Sequence, residues 1–268
     1  MTPATPVSEP SVRVLAPAKL TVSLRVTGVR ADGYHELESE MVALSLADEL
    51  VLTEGGSSGV TVVAEPGTRA EGLGDPEDNL ISRALAACGR VASVRLTKRI
   101  PVGGGLGGGS ADAAAVLRWA GGVSPGVAAR LGADVPFCVV GGRARVEGVG
   151  ELVTPLPFVP RVYLLVLPPF GVDTAQVYRA WDEGHREGDR AANELTAAAL
   201  AVEPRLAGWR DALGDLAGHA PRLAGSGSTW FVEMEGAGTG TPAPELRVGS
   251  ETARLVRART VPAGWDGD

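Results

Sequence analysis

Pro101-Val-Gly-Gly-Gly-Leu-Gly-Gly-Gly-Ser-Ala-Asp-Ala-Ala-Ala-Val-Leu-Arg-Trp-Ala120 is the stretch on which the reading of this chain turns. Six of the seven residues from Gly103 to Gly109 are glycine, and a run of helix formers begins directly after them. Such a join predicts a loop feeding a helix N-terminus, where unpaired N–H groups converge on one concavity suited to a phosphate. Glycine is required there because a Cβ would hold a ligand away from the backbone. Ser110 is the expected cap of the helix, Asp112 its first-turn carboxylate at the positive end of the dipole, and Gly121 its stop. A flexible linker is the plain alternative, but linkers do not run straight into an alanine-rich helix with a serine at its start.

Three nucleotide loops have this character. The P-loop needs Gly-Lys-Ser/Thr, whereas Gly109 is followed directly by Ser110 with no lysine. The dinucleotide fingerprint is met as a string by Gly103, Gly105 and Gly108. It also wants an acidic residue roughly 20 positions on, where the chain has Val127, Ala128, Ala129 and Arg130. The third is the Pro-x-x-x-Gly-Leu-Gly-x-x-Ser-Ala loop of the GHMP small-molecule kinases, and Pro101 to Ala111 resembles it closely.

Outward from the loop, composition sets bounds. A chain of 268 residues with 44% hydrophobic side chains can fill one large domain or two lobes. No apolar run approaches the ~20 residues of a membrane span. The first ten residues hold three prolines and no basic or apolar block; they read as a loose tail rather than a signal peptide. Cys88 and Cys138 lie in apolar settings, which fits buried thiols in a reducing, cytoplasmic compartment better than a disulfide or metal site. A net charge of −7 without a basic cluster argues against a nucleic-acid partner. Of the 25 basic residues only two, Lys19 and Lys98, are lysine, and the only asparagines are Asn79 and Asn193. Arginine does not replace a compact ammonium where one must fit, so the surviving lysines carry weight.

Taken in order, Val12–Val26 alternates as a half-buried strand broken by Pro17, with Lys19 and Thr21 on one polar face. A turn at Arg30–His35 leads to a strand over Leu37–Leu46, and further strands are expected at Asp48–Thr53 and Val60–Ala64. Asp75–Cys88 reads as an amphipathic helix with Leu80, Ile81, Ala84 and Leu85 inward, and Val94–Ile100 as the strand delivering the glycine loop. A helical piece ends in Leu131-Gly-Ala-Asp134-Val-Pro-Phe, and Arg143–Val153 reads as a hairpin turning near Gly148–Gly150. Arg161–Leu167 is a strand covered on both faces. Helices are expected at Thr174–Trp181, Asn193–Ala201 and Pro204–Leu213. A small-residue loop at Gly225–Thr229 precedes a Trp230–Met234 strand, Glu235–Thr241 reads as a mobile loop, Pro244–Gly249 is ambiguous, and a last strand lies near Leu255–Val261. Strands and helices without strict βαβ alternation predict an α+β fold in two lobes, 1–157 and 158–268.

Five segments occur in a telling order: Ala16-Pro-Ala-Lys19-Leu, Arg30-Ala-Asp-Gly-Tyr34-His35-Glu-Leu, the glycine loop, Gly132-Ala-Asp134-Val-Pro-Phe, and Gly225-Ser-Gly-Ser. Together they resemble the diphosphocytidyl-methylerythritol kinases, a branch of the GHMP superfamily. The resemblance implies a two-lobed GHMP-kinase-like fold with the active site between the lobes. It also implies transfer of the terminal phosphoryl of ATP, with Mg²⁺, to the 2-hydroxyl of an erythritol attached to CDP, in non-mevalonate isoprenoid precursor biosynthesis. By resemblance Asp134 orients or deprotonates the hydroxyl, Lys19 is the second catalytic group, His35 reads the cytosine edge, and Tyr34 and Tyr178 stack on its faces. Asn79 and Lys98 fall near the adenosine, and Pro101, Gly103, Gly104, Gly105, Leu106, Gly107, Gly108, Gly109, Ser110 and Ala111 form the ATP loop. The metal ligands and the oligomeric state are not read. Thr21 stands where the family commonly has asparagine, and it belongs to the substrate site by position. The segment from Ala120 to Leu131, which buttresses the Asp134 loop, is shorter than the family usually carries. A GHMP kinase for another small alcohol and a binding-only relative remain as alternatives.

Overall fold

The computed structural model describes residues 11–55, 59–71, 79–186, 192–234 and 244–267. Its first part contains β1 (Ser11–Val29), β2 (His35–Glu54), β3 (Gly59–Ala64), α1 (Leu80–Ala87), β4 (Ala92–Lys98), α2 (Gly108–Trp119), α3 (Pro125–Leu131), α4 (Val135–Val140), β5 (Arg143–Gly148) and β6 (Leu152–Leu156). The second contains β7 (Val162–Leu167), α5 (Thr174–Asp182), α6 (Thr196–Val202), α7 (Leu206–Ala217), β8 (Arg222–Leu223), β9 (Trp230–Met234), β10 (Glu245–Val248) and β11 (Glu251–Arg259). The expected N-terminal tail and the Glu235–Thr241 loop lie outside the described residues, as do positions 75–78 of the expected first helix.

The long β2 is the spine of the first sheet. β1 runs antiparallel along one edge, while β4 and β5 pair with opposite halves of the other. The expected break between two strands at Leu46–Asp48 does not occur: Ala47 and Asp48 pair with Pro17 and Ala16, so one strand continues through. Pro17 likewise shifts the register of β1 without ending it. Strand β3 adds parallel to β4, and β6 closes a hairpin on β5. The second sheet runs β10-β11-β7-β9-β8, all antiparallel.

Three apolar layers hold these parts together. Helices α1 to α4 cover the first sheet, with Ile81, Leu85, Ala113, Val116 and Phe137 packed on Leu50, Val94 and Leu96. The alanines of α2 leave no bulk on its inner face, which lets the helix lie close to its neighbours. Trp209 and Trp230 anchor the layer between the second sheet and α5 to α7. Leu20, Val42 and Leu44 meet Tyr163, Leu165 and Phe231 in a third cluster that joins the two sheets. That junction covers the Leu20 side of β1, and Gly107 with the Gly225 loop covers the Lys19/Thr21 side, so the centre of the strand is buried on both faces where half-burial was expected. The fold is α+β, as the sequence predicts.

Candidate active site

The glycine loop leaves β4 and starts α2 in a way the sequence reading partly missed. Gly107, with φ +65°, occupies the cap position, and no side chain caps the helix. Ser110 is therefore not the cap but lies inside the first turn, on the wall of a cavity of about 870 Å³. The loop is docked by backbone bonds: Lys19 N–H donates to Leu106 O (3.0 Å) and Thr229 N–H to Gly104 O (3.2 Å). Gly121 ends the helical run as expected, its N–H donating to Arg118 O.

Alternation along β4 places Ala92, Val94, Leu96 and Lys98 on the buried face, so Lys98 enters the core by register. It is fully buried beneath Gly108 and bonds to Asp48 and to Asp112 (2.9 Å). This corrects two expectations. Lys98 does not line the cavity, and Asp112 serves Lys98 rather than the helix dipole. Burial pushes the Asp112 carboxyl up to about 8, against the pull of Lys98 and with the help of Asp48. Burial alone would lower the Lys98 ammonium, but Asp112 and Asp48 outweigh it and hold it above the usual lysine range. Leu106 and Ala111 also turn inward, away from the cavity.

On the floor of the cavity Lys19 Nζ stands 3.3 Å from Asp134 Oδ2 and donates to Thr21 Oγ1 at 3.2 Å. A Cβ on Gly107 would sit 2.7 Å from Lys19 Cγ, so the ammonium reaches Asp134 only because that position is glycine. Asp134 precedes α4 in a capping position yet makes no capping bond, which leaves its carboxylate for Lys19. Helix α4, with Val135, Pro136 and Phe137 buried, was not foreseen and fixes Asp134 from behind. The β5–β6 turn supports the same loop: a Cβ on Gly150 (φ +111°) would run into the carbonyl oxygen of Ala133. The short α3 thus has company in holding Asp134.

At one end of the cavity His35, at the start of β2, stacks on Tyr178 with ring centroids 4.6 Å apart and an interplanar angle of 28°. Tyr34 lines the same end but is 65% exposed. One face of Tyr178 is therefore already covered by the histidine. At the glycine-loop end Asn79 lines the wall and caps α1, accepting from Ile81 N–H at 2.8 Å. Among the residues named from sequence, Thr21, Pro101, Gly103, Gly104, Gly105, Gly107, Gly108 and Gly109 also line this cavity.

The sequence did not single out Thr174, Arg179, Asp182 or Ser226, which α5 and the Gly225 loop bring to the wall. For Thr174 and Asp182 the signal lay in helical spacing, since positions 174, 178 and 182 share a face of α5; Arg179 and Ser226 gave no such signal. Asn193 was noticed only for its rarity. It is buried and donates to Leu223 O (2.9 Å) and Gly225 O (2.7 Å), pinning that loop against Lys19. Cys138 is buried with its thiol pushed up to about 12, chiefly by burial, whereas Cys88 is only half-buried. A wider concavity, of about 1040 Å³, opens beside Arg161, Arg222 and Glu233 and contains none of the motif residues, which gather instead around Lys19.

Comparison with known proteins agrees with this geometry. Residues 79–142 match the GHMP kinases N terminal domain. A 4-diphosphocytidyl-2-C-methyl-D-erythritol kinase from Paracoccus denitrificans is 38% identical over 94% of this chain and 94% of its own length. A crystal structure of 4-(cytidine 5'-diphospho)-2C-methyl-D-erythritol kinase superposes with a TM-score of 0.65 at 36% identity, covering 82% of this chain and 89% of that one. A homoserine kinase from Cytophaga hutchinsonii, 18% identical with a TM-score of 0.57 over 87% of each chain, shares the fold. Alignment over nearly the whole length, with the Lys19–Asp134 pair at the floor of the cavity, leads to one conclusion: the chain belongs to the 4-diphosphocytidyl-2-C-methyl-D-erythritol kinase family of the GHMP kinases.

Proposed function

We propose that this protein transfers the terminal phosphoryl group of ATP to the 2-hydroxyl of 4-diphosphocytidyl-2-C-methyl-D-erythritol, in the cytoplasm, as a step of non-mevalonate isoprenoid precursor biosynthesis. The observation that carries the reading is the 3.3 Å Lys19–Asp134 pair, set between a glycine cradle and a histidine–tyrosine stack. Phosphoryl transfer asks the protein for positioning and charge stabilisation more than for covalent chemistry. The exposed N–H groups of the glycine loop and the start of α2 receive the phosphate chain, with Asn79 toward the nucleoside. Asp134 accepts the hydrogen bond, then the proton, of the substrate hydroxyl. The bond from that oxygen to the terminal phosphorus forms as the bond to the bridging oxygen of ADP breaks. Lys19 stabilises charge on the migrating group, and Thr21 orients its ammonium. The cytosine lies against His35 and Tyr178, with Tyr34 closing over it.

Among the described residues no three His, Cys, Asp or Glu side chains cluster as a metal site. A magnesium ion would instead be held chiefly by the phosphates of ATP and would supply charge neutralisation there. Ser110 is the hydroxyl on the cavity wall placed to add one ligand. No helix among the described residues is long and apolar enough to cross a membrane.

A coupled ADP-release assay with the cytidine substrate, homoserine and mevalonate tests the reading. Turnover with the cytidine compound alone is expected. ADP release with either of the other alcohols, and none with the cytidine compound, would overturn it.

A further inference from the structure

We propose that Asp182 fixes the tautomer of His35 and thereby makes the cavity select cytosine over uracil. The inference rests on the cytidine reading above and adds to it a residue that the resemblance did not name.

His35 is gripped by α5 from three sides. Tyr178 stacks on its face, Trp181 meets it edge-on at 5.5 Å and 89°, and Asp182 Oδ1 lies 2.8 Å from Nε2. The three partners lie within one turn of α5, so the ring has little freedom to flip or swing. The imidazole side chain is only 9% exposed, yet it lines the cavity.

A neutral imidazole has one nitrogen that donates and one that accepts, and the hydrogen bond at one nitrogen decides the role of the other. A carboxylate only accepts. Asp182 therefore holds the proton on Nε2, and in the neutral ring Nδ1 keeps a lone pair, the group that would meet an entering base. The exocyclic amine of cytosine is a donor and completes that pair; the corresponding position of uracil is a carbonyl oxygen, an acceptor, which would face the lone pair without a proton between them. A second acceptor facing a buried acceptor is penalised, since neither can turn to water. With the opposite tautomer the preference would reverse. Base selectivity thus lives on a helix residue beside the base-reading histidine.

The chain has three histidines, and His185 and His219 are exposed, so long-range ¹H–¹⁵N spectra of the imidazoles are assignable by substituting those two. Such spectra distinguish the two tautomers and the imidazolium. The wild type is expected to hold His35 with the proton on Nε2. It should turn over the cytidine substrate with kcat/KM on the order of 10- to 100-fold above that of its uridine counterpart. Asp182→Ala should release the tautomer and collapse that ratio through KM for the pyrimidine substrate, leaving KM for ATP unchanged. Asp182→Asn, whose amide can accept from Nε2 or turn and donate to it, no longer fixes the tautomer and should lose much of the selectivity as well. A wild-type His35 protonated on Nδ1, or an unchanged ratio in Asp182→Ala, would overturn the proposal while the kinase reading stood. Wild-type protein that turns over neither pyrimidine compound would remove the cytidine reading and the selectivity with it.

Discussion

Replacing Gly107 with alanine tests how the glycine loop and the catalytic pair depend on each other. Gly107 sits at φ +65°, and a Cβ there would lie 2.7 Å from Lys19 Cγ and 3.1 Å from Cε. Carbon atoms rest at about 3.5–4.0 Å, so the lysine stem must retreat by about 1 Å. The ammonium is tied to Asp134 at 3.3 Å and to Thr21 at 3.2 Å, and both contacts lie at the end of that stem. A misplacement of ~1 Å in a catalytic group costs roughly 10²-fold in rate. The left-handed backbone adds a separate cost of ~1–2 kcal/mol to folding, because alanine, unlike glycine, is strained there. Gly107→Ala is therefore expected to lose about two orders of magnitude in kcat with a melting temperature lower by only a few degrees. ADP release by a coupled assay gives kcat, and a thermal melt of the same preparation gives stability. A variant that melts a few degrees lower but keeps kcat within twofold of the wild type would refute the claim that Gly107 makes room for Lys19.

Other perturbations read the remaining parts of the site. Asp134→Asn and Lys19→Ala should each lower kcat by at least ~10²-fold with calorimetric ATP affinity preserved; a parallel loss of ATP binding would mean that the fold had been damaged instead. Tyr34→Ala should weaken CDP binding by about 1–3 kcal/mol if the ring covers the base, and an unchanged CDP dissociation constant would take Tyr34 out of the site. The Asp112 carboxyl, raised to about 8 in the fold, keeps a proton that the unfolded chain has lost above about pH 4. Stability from this group is therefore present at low pH and falls as pH rises toward 8. Asp112→Asn cannot ionise and should show a smaller drop in melting temperature from pH 6 to pH 8 than the wild type; equal drops would contradict the buried-proton account. Mg²⁺·ATP at about 100 times its dissociation constant should stabilise the wild type by ~2.7 kcal/mol, visible as a melting shift.

The legible parts of this protein were those whose physics is local. The glycine loop running into a helix, the strand that delivers it and the helix over Thr174–Trp181 each depend on neighbours in sequence, and each stands in the fold. The misreadings came from contacts that sequence does not order. Alternation correctly put Lys19 and Thr21 on one face of β1, but not that this face would be closed by Gly107 and the Gly225 loop. Lys98, expected near the adenosine, lies on the inward side of β4, and only the tertiary partners Asp48 and Asp112 make such a burial tolerable. The cap expected at Ser110 failed because glycine in a left-handed conformation had already taken the position. Helical spacing places Asp182 on the Tyr178 face, but its role depends on His35, 147 positions away in sequence.

The most direct measurement is single-turnover transfer from ATP labelled at the terminal phosphate, with the cytidine substrate, in wild type and Asp134→Asn prepared side by side. The account predicts that the label appears in wild type as a phosphomonoester on the 2-hydroxyl of the erythritol, identified by ³¹P NMR, at the rate at which ADP forms. Asp134→Asn should bind both ligands and transfer almost none. Wild-type protein whose melt shifts with ATP but which leaves the label on ATP would contradict the account and describe a nucleotide-binding protein instead.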